Sequence, residues 1–379
     1  MEVYTLYQTG TQASGNGRMR IRPRHGNGGG GQIASVGVAV PPFVVDQIES
    51  GEVLIGRFKD RMSARSLALM KKIFAHPSIK QRHFAIEDRE AFFDEDPDCR
   101  IARFTRWSIE LSGRAILNAL SEAGLTTDAV SALVVNTCTG YICPGISTYL
   151  VEKLALSRQV RVFDLVGSGC GGAIPNLQIA ESLLEKNKEG VIVSASVEIC
   201  TATFQMEDNL SLIASNALFG DGAAAAVLWN RSEGLELISS ASRHLPEDRE
   251  AIRYIHKNGQ LHNQLATNLP HLVKKAVARV TSDVLEPHSL RVQDVKHWAL
   301  HAGGEKILNT IKEEIGLSEE QLCASRGILR EYGNMSSPTV LFVLRKLIES
   351  GIEKGEWCIV VAFGAGLSAH AFLLRKNLP

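Results

Sequence analysis

One cysteine of this chain stands where a nucleophile would be expected. Cys170 lies in the segment VGSGCGGA (residues 166–173), between residues 160–165, which read as a strand, and residues 174–184, which read as an amphipathic helix. A thiol at the start of a helix faces free N–H groups and the positive end of the helix dipole, which favours the thiolate. The alternative is a small buried side chain in a glycine-rich turn, and the segment alone favours neither interpretation.

Two polar residues occupy comparable places further along the chain. His301 follows a predicted strand at residues 295–300, and Asn334 lies in YGNMSS (residues 332–337) before a predicted helix. Loops that follow strands are where open α/β sheets bind ligands. Taken singly, a histidine at the end of a strand is more often structural than catalytic, and an asparagine before Ser-Ser is more often a helix cap.

Together the three residues fit one mechanism. Cys170 would accept an acyl group, while an N–H of His301 and the side-chain amide of Asn334 would donate to a thioester oxygen that becomes negative. The imidazole would also hold Cys170 as an ion pair at neutral pH. The sequence therefore predicts acyl-transfer chemistry at one site.

The elements that must position these residues alternate between strand and helix. Predicted strands cover residues 33–40, 132–137, 160–165, 190–196, 223–228, 235–241, 295–300, 357–363 and 368–374. Predicted helices cover residues 44–76, 107–123, 146–156, 174–188, 209–217, 264–285, 304–315 and 336–349. The alternation predicts a mostly parallel, covered sheet, and its recurrence after about residue 235 predicts two similarly built α/β halves with a site between them.

The ends of these halves follow from composition. Residues 1–31 are rich in glycine and polar side chains, which predicts a flexible tail. The first half would then occupy residues 32–235 and carry the cysteine. The second would occupy residues 236–379 and carry the histidine and the asparagine.

Composition also limits the function classes. The chain has 41 basic and 41 acidic residues, so no basic excess indicates a nucleic-acid partner. No apolar run predicts a membrane span, and the N-terminus lacks a signal-peptide pattern. Seven scattered cysteines without a CxxC pair argue against a disulfide framework and a structural zinc site, and favour a cytoplasmic protein.

Several motifs, in the right order, resemble one family. GCGGA around Cys170, LFGDGAAA (residues 218–225), YGNMSS (residues 332–337) and GAGL (residues 364–367) are similar to the motifs of type III polyketide synthases, the chalcone synthase-like branch of the thiolase superfamily. Matching segments cover most of residues 32–379. The resemblance implies a thiolase-like α/β fold, in which two similar αβαβα halves stack in five layers.

The resemblance also implies roles for individual residues. Cys170 would carry the starter acyl group and the growing chain. His301 and Asn334 would polarise malonyl-CoA, drive its decarboxylation and stabilise the enolate. Phe219 would be an aromatic gatekeeper between a CoA tunnel and the reaction cavity, with a core phenylalanine as the alternative interpretation.

Further expectations concern substrates and partners. The implied substrate-binding residues are Cys138, Thr139, Cys143 and Gly366, with the loop around Cys143 facing a second copy in a homodimer. Lys72 and Lys306 are candidates for CoA phosphate contacts, against the alternative that they lie on solvated helix faces. The family uses acyl-CoA and malonyl-CoA directly, and the resemblance implies no cofactor, metal or acyl carrier protein.

The chain departs from the family pattern at several positions. Ala302 and Ala365 stand where prolines are usual, and the segment 259–270 is shorter than in plant members, so their second gatekeeper phenylalanine has no clear counterpart. Cys138 replaces a hydroxyl residue of plant members, as in some bacterial ones. These features indicate a bacterial-type enzyme, and the resemblance implies a product of the pyrone, resorcinol or other polyhydroxylated aromatic class.

Three other classes fit parts of the pattern. A ketoacyl-acyl carrier protein synthase of the initiating type also uses cysteine, histidine and asparagine, although HAGG and GNMSS argue against it. A thiol hydrolase would need a cleft that the glycine-flanked Cys170 does not suggest. A non-enzymatic scaffold would leave the three polar residues without a purpose.

Overall fold

The computed structural model describes residues 31–93, 96–230 and 233–377. The predicted tail therefore lies outside the described residues, except for Gly31, whose carbonyl accepts a hydrogen bond from Leu237 N. No helix within the described ranges has the length and apolar character needed to cross a bilayer.

The described strands and helices follow the predicted order with several additions. The strands are β1 (Gln32–Ala39), β2 (Phe43–Asp46), β3 (Gln81–Phe84), β4 (Val130–Asn136), β5 (Arg161–Leu165), β6 (Val191–Glu198), β7 (Gly222–Leu228), β8 (Leu235–His244), β9 (Ile252–Lys257), β10 (Gln260–Leu265), β11 (His297–Leu300), β12 (Trp357–Gly364) and β13 (Ser368–Lys376). The helices are α1 (Gln47–Phe58), α2 (Ala64–Phe74), α3 (Pro97–Glu122), α4 (Ile146–Lys153), α5 (Ala173–Lys186), α6 (Leu210–Leu218), α7 (Leu269–Leu285), α8 (Glu305–Ile315), α9 (Glu319–Tyr332) and α10 (Thr339–Glu349).

Two predicted helices were too long. The helix predicted over residues 44–76 is strand β2 followed by α1 and α2, because Asp46 caps α1 and Ser63 caps α2 through their side-chain oxygens. The helix predicted over residues 264–285 begins only at Leu269. The preceding residues belong to the β9–β10 hairpin.

The large sheet has the strand order β11-β12-β13-β8-β1-β7-β6-β4-β5. β4 pairs in parallel with β5 and β6, and β11 pairs in parallel with β12; the other neighbours pair antiparallel. The prediction of a mostly parallel sheet is therefore wrong. β12 turns directly into β13 through residues 365–367, so these two strands must run antiparallel, and β6 and β7 pair antiparallel although α6 lies between them.

The two parts of the sheet repeat one pattern. β4-β6-β7-β1 and β11-β12-β13-β8 each contain one parallel pairing followed by two antiparallel ones. The two sets meet where β1 pairs with β8 through Ile33 and Leu235. The chain thus folds as two similarly built parts joined edge to edge.

Helices complete a five-layered arrangement. α3 packs on the outer face of the first set of strands, and α7 packs on the outer face of the second. α5 and α10 lie between the two sets and contribute a shared apolar core of Ala173, Ile174, Leu177, Ala180, Leu184, Val340, Leu341, Phe342, Val343 and Leu344. Each central helix begins just after a polar segment, which brings those segments to one region.

Candidate active site

The turn that carries Cys170 is held closely against the end of β12. The residue lies in a 3-10 turn, Gly169–Gly171, immediately before α5. A Cβ atom on Gly364 would lie 2.4 Å from Gly171 N and 2.5 Å from Ser168 O, so the two backbones require glycine at this contact. As a result Cys170 is only 6% exposed.

The Cys170 thiol is protonated at neutral pH in this structure. Burial raises its pKa to about 12, although a hydrogen bond from Ser336 opposes the shift. Ser336 Oγ donates to Cys170 Sγ at 3.3 Å. The helix start predicted a thiolate, but the cost of burying a charge outweighs the effect of the dipole.

His301 is a buried, neutral imidazole. It follows β11, is 0% exposed, and packs edge-on against the Phe363 ring with centroids 5.0 Å apart. Burial lowers its pKa to about 3, and neither ring nitrogen has a hydrogen-bond partner among the described residues. The ion pair expected between Cys170 and His301 is therefore absent from the described chain, since burial keeps both groups neutral.

Asn334 has its side-chain amide turned in a defined direction. Its Oδ1 accepts hydrogen bonds from Ser336 N at 2.7 Å and from Thr339 Oγ1 at 3.4 Å. These donors assign the oxygen to the inner side of the loop, which leaves the NH₂ group to donate to a ligand. Ser336 adopts a left-handed φ of 59° and places its hydroxyl on the Cys170 sulfur, so one residue joins Asn334 to Cys170.

A buried carboxylate that the sequence analysis did not single out lies beneath these residues. Glu198 Oε2 accepts hydrogen bonds from Cys138 N, Thr139 N and Thr139 Oγ1, and Oε1 accepts one from Ser337 Oγ at 2.6 Å. Burial raises the pKa of Glu198 against these stabilising bonds. No motif marks this glutamate, the last residue of β6, because its contacts come from the loop after β4 and from the Asn334 loop.

A cavity with a volume of about 570 Å³ lies beside the turn that carries Cys170. Its lining includes Cys138 and Thr139, together with Gly169 of the turn that carries Cys170. The other walls come from α3, the β9–β10 hairpin and Ala365. Cys138 Sγ lies 3.5 Å from Ser336 Oγ, so the same hydroxyl contacts both sulfurs.

Phe219 lies apart from this cavity, beside Asn334. It follows α6 directly, forms an isolated β-bridge with Asn334, and lines a smaller cavity together with Cys200 and Asn263. The predicted gatekeeper Phe219 therefore lies next to Asn334, one of the three candidate catalytic residues. Asn263 of β10 also lines that smaller cavity. It belongs to the segment 259–270, in which no counterpart to a second aromatic gatekeeper was predicted.

The remaining predicted residues lie outside the cavity lining. Cys143 is exposed in the loop before α4, and Gly366 is exposed in the β12–β13 turn next to Ala365. Lys72 on α2 and Lys306 in the first turn of α8 are exposed. The residues that the structure describes contain no group of three or more histidine, cysteine or acidic side chains suited to a metal ion.

The fold and the buried cysteine, histidine and asparagine define a thiolase-like condensing enzyme, and comparisons with known proteins give the family. The model for the N-terminal domain of chalcone and stilbene synthases matches residues 18–231. The model for the C-terminal domain matches residues 236–378. The chain therefore belongs to the chalcone and stilbene synthase family, the type III polyketide synthases.

Individual relatives agree with this assignment. The chain is 27% identical over 320 residues to a 3,5-dihydroxyphenylacetyl-CoA synthase from Streptomyces toyocaensis, with 81% of this chain and 82% of that protein aligned. The bacterial 1,3,6,8-tetrahydroxynaphthalene synthase from Streptomyces coelicolor A3(2) superposes with a TM-score of 0.86 at 24% identity, over 92% of this chain and 100% of that one. PKS-I from the brown alga Ectocarpus siliculosus superposes with a TM-score of 0.84 at 24% identity, over 93% and 100%.

These findings confirm the predicted thiolase-like fold and the predicted enzyme class. The chain is an acyltransferase-class polyketide synthase that condenses malonyl-CoA with an acyl-CoA starter. The alternative of an initiating ketoacyl-acyl carrier protein synthase receives no support from the matches.

Proposed function

We propose that Cys170, His301 and Asn334 perform the condensation. The observation that carries this proposal is the fixed orientation of Asn334: Ser336 holds its Oδ1 and also donates to the Cys170 sulfur. The free NH₂ group of Asn334 and a neutral imidazole are suitable donors to the oxygen of a thioester that becomes an enolate.

In the first half-reaction His301 acts as the base. Both groups are neutral, so the imidazole takes the proton from the Cys170 thiol while the sulfur attacks the carbonyl carbon of the acyl-CoA. The tetrahedral intermediate expels CoA thiolate, which takes the proton from His301 and restores the neutral imidazole. The product is an acyl thioester on Cys170.

In the second half-reaction malonyl-CoA loses CO₂. The electron pair of the broken C–C bond forms an enolate, whose oxygen accepts hydrogen bonds from His301 and Asn334. The enolate carbon attacks the Cys170 thioester, a C–C bond forms, and the sulfur leaves. Transfer of the extended chain back to Cys170 permits another round.

The cavity supports a cyclised aromatic or lactone product. A volume of about 570 Å³ next to the turn that carries Cys170 accommodates a folded chain of several acetate units. The relatives are named for 3,5-dihydroxyphenylacetyl-CoA and for tetrahydroxynaphthalene, which are both polyhydroxylated aromatic compounds. We propose that this enzyme also makes a compound of the pyrone, resorcinol or polyhydroxylated aromatic class.

The remaining assignments complete the proposal. We propose that five residues contact the substrate or line its route to the site: Phe219, Cys138, Thr139, Cys143 and Gly366. The exposed ammonium groups of Lys72 and Lys306 are proposed to meet CoA phosphates, and no cofactor takes part.

We also propose a homodimer in the cytoplasm. The edge strand β5 exposes Val162 and Phe163, and Tyr141 near Cys143 is 73% exposed, which supports a covered surface there. The cysteines are all free thiols, which supports a reducing compartment. Sedimentation analysis of the purified chain tests the dimer.

Intact-protein mass spectrometry tests the central assignment. The wild type is mixed with a panel of acyl-CoA esters and then with malonyl-CoA, and products are separated by chromatography. We expect an acyl adduct that disappears in Cys170→Ala, while this variant still releases CO₂ from malonyl-CoA slowly. Equal polyketide formation by Cys170→Ala would exclude Cys170 as the acyl carrier.

Two further variants test the donors. His301→Ala and Asn334→Ala should each lower the rate of malonyl-CoA decarboxylation by at least about 10²-fold, the usual effect of losing one oxyanion donor. Unchanged rates would remove these residues from the mechanism.

A further inference from the structure

A buried arginine lies beside the segment that carries Phe219 and Asn334. Arg82 of β3 is 1% exposed, and the carboxylate that attracts it electrostatically is that of the buried Asp221. Its guanidinium lies over the Phe84 ring, with Cζ 4.9 Å from the ring centroid. Burial lowers the pKa of Arg82 to about 9 despite the attraction of Asp221, so the hydrogen-bond contacts of the guanidinium must offset the remaining cost of burial.

Those contacts are the carbonyl groups at the end of α6. Arg82 NH1 donates to Asn216 O at 2.6 Å and to Phe219 O at 2.9 Å. Arg82 Nε donates to Gln47 Oε1 at 2.8 Å, and Gln47 Nε2 donates to Ala217 O at 2.7 Å. A cation at this position also interacts favourably with the negative end of the helix dipole.

The same backbone segment holds Asn334 on both sides. Asn334 N donates to Leu218 O at 2.9 Å, and Gly220 N donates to Asn334 O at 3.0 Å. The aliphatic stem of Arg82 supports the loop from beneath, because a Cβ on Gly333 would lie only 2.9 Å from Arg82 Cγ. Any shift of the Leu218–Gly220 segment would therefore move Asn334 with it.

We infer that Arg82 is a positioning residue for the catalytic asparagine: by fixing the Asn216 and Phe219 carbonyls it holds the segment to which the Asn334 backbone is bonded. The inference rests on the proposed role of Asn334. A guanidinium bonds two carbonyls and Gln47 at once, whereas the single ammonium of a lysine lacks this planar fork. A displacement of about 1 Å in a catalytic group is enough to lower a rate by about 10²-fold.

The test measures separately the decarboxylation of malonyl-CoA, which is proposed to depend on Asn334, and the reactivity of the Cys170 thiol. Arg82→Lys is made in the Cys170→Ala background, and the kcat and KM for malonyl-CoA decarboxylation are measured. It is also made in the wild type, where the rate of Cys170 alkylation by iodoacetamide and the urea midpoint are measured. We expect kcat for decarboxylation to fall at least about 10-fold, KM to stay within about 2-fold, and the alkylation rate to stay within about 2-fold.

Arg103→Lys is the matched control. Arg103 is also buried, on α3, and NH2 donates to the Thr201 carbonyl instead of to the Phe219 segment. It should lower the urea midpoint comparably while decarboxylation changes less than 3-fold. If the role of Arg82 is purely structural, Arg82→Lys will change the decarboxylation rate and the alkylation rate together, or both arginine variants will show the same changes. Either result would overturn the inference.

Asn334→Ala in the same assays separates the two proposals. If Asn334→Ala leaves decarboxylation unchanged, the catalytic assignment fails; if it lowers the rate and Arg82→Lys does not, only the positioning role fails. Should Arg82→Lys not fold, Gln47→Leu decides, because it removes the bond to Arg82 Nε and retains the charge. A lower kcat with normal alkylation supports the inference, and an unchanged kcat overturns it.

Discussion

At the scale of single residues, burial sets the ionisation of the Cys170 thiol. Its pKa is raised to about 12. Alkylation requires the thiolate, whose fraction below the pKa increases tenfold per pH unit. We therefore expect the iodoacetamide labelling rate of Cys170 to rise about tenfold for each pH unit from 7 to 10, without a plateau. Peptide mass mapping after timed labelling measures this rate.

Ser336 and an exposed cysteine provide the controls for this profile. Ser336→Ala removes the hydrogen bond to the sulfur, so labelling at each pH should slow by a few fold. Cys323 is exposed and should label faster than Cys170 at pH 8 in the same sample. A Cys170 labelling rate that levels off near pH 7 would show that the thiolate is stabilised after all.

The three candidate residues could be chosen from the sequence, but their surroundings could not. Cys170, His301 and Asn334 each stand in a short glycine-containing motif, and the family resemblance singled them out together. Ser336 also lies in such a motif, yet its contact with the sulfur depends on a left-handed backbone that sequence spacing does not reveal. Glu198 is recognised only when partners distant in the chain surround it.

At the scale of elements, the end of β12 sets the position of the turn that carries Cys170. A methyl group on Gly364 would lie 2.4 Å from Gly171 N and 3.0 Å from Cys170 N, and these backbone atoms cannot rotate away. We expect Gly364→Ala to destabilise the chain by about 1–3 kcal/mol, the usual cost of overpacking. Acylation of Cys170 should slow about 10-fold or more, because the turn must shift.

Gly56→Ala on α1 is the matched control. No heavy atom lies within 4 Å of the position that its Cβ would take. This substitution should raise the free energy of unfolding by roughly 0.5–1 kcal/mol, since alanine is the better helix residue, and leave acylation unchanged. Urea denaturation measures the stability of both variants, and mass spectrometry of samples quenched at set times measures the rate of Cys170 acylation. Equal effects of the two substitutions would contradict a positioning role for Gly364.

Element boundaries show where sequence patterns stop being informative. Central strands such as β4, β6 and β7 are continuous small or apolar runs, and the sequence predicts them to within a few residues. The β9–β10 hairpin was not predicted as two strands, because several of its residues line a cavity instead of a core. A segment that faces substrate is selected for its contacts as well as for periodicity.

At the scale of the whole molecule, the site exists only while both parts of the chain are folded together. Asn136 Nδ2 on β4 donates to Ser337 Oγ at 2.9 Å, and Ser337 donates to Glu198 on β6. The apolar core between the two sets of strands is likewise shared by α5 and α10. Neither part can bury its central helix or satisfy these polar groups without the other.

We therefore expect one cooperative unfolding transition for the two parts. Trp107 on α3 reports on the first part, and Trp298 on β11, which is fully buried, reports on the second. In single-tryptophan variants that keep one or the other, urea should shift both fluorescence signals at the same midpoint. Leu177→Ala in α5 should lower both midpoints together, since a cavity in this core costs about 2–5 kcal/mol. Separate midpoints would mean that each part folds independently, and the contacts between Ser337 and Glu198 would then be too weak to couple them.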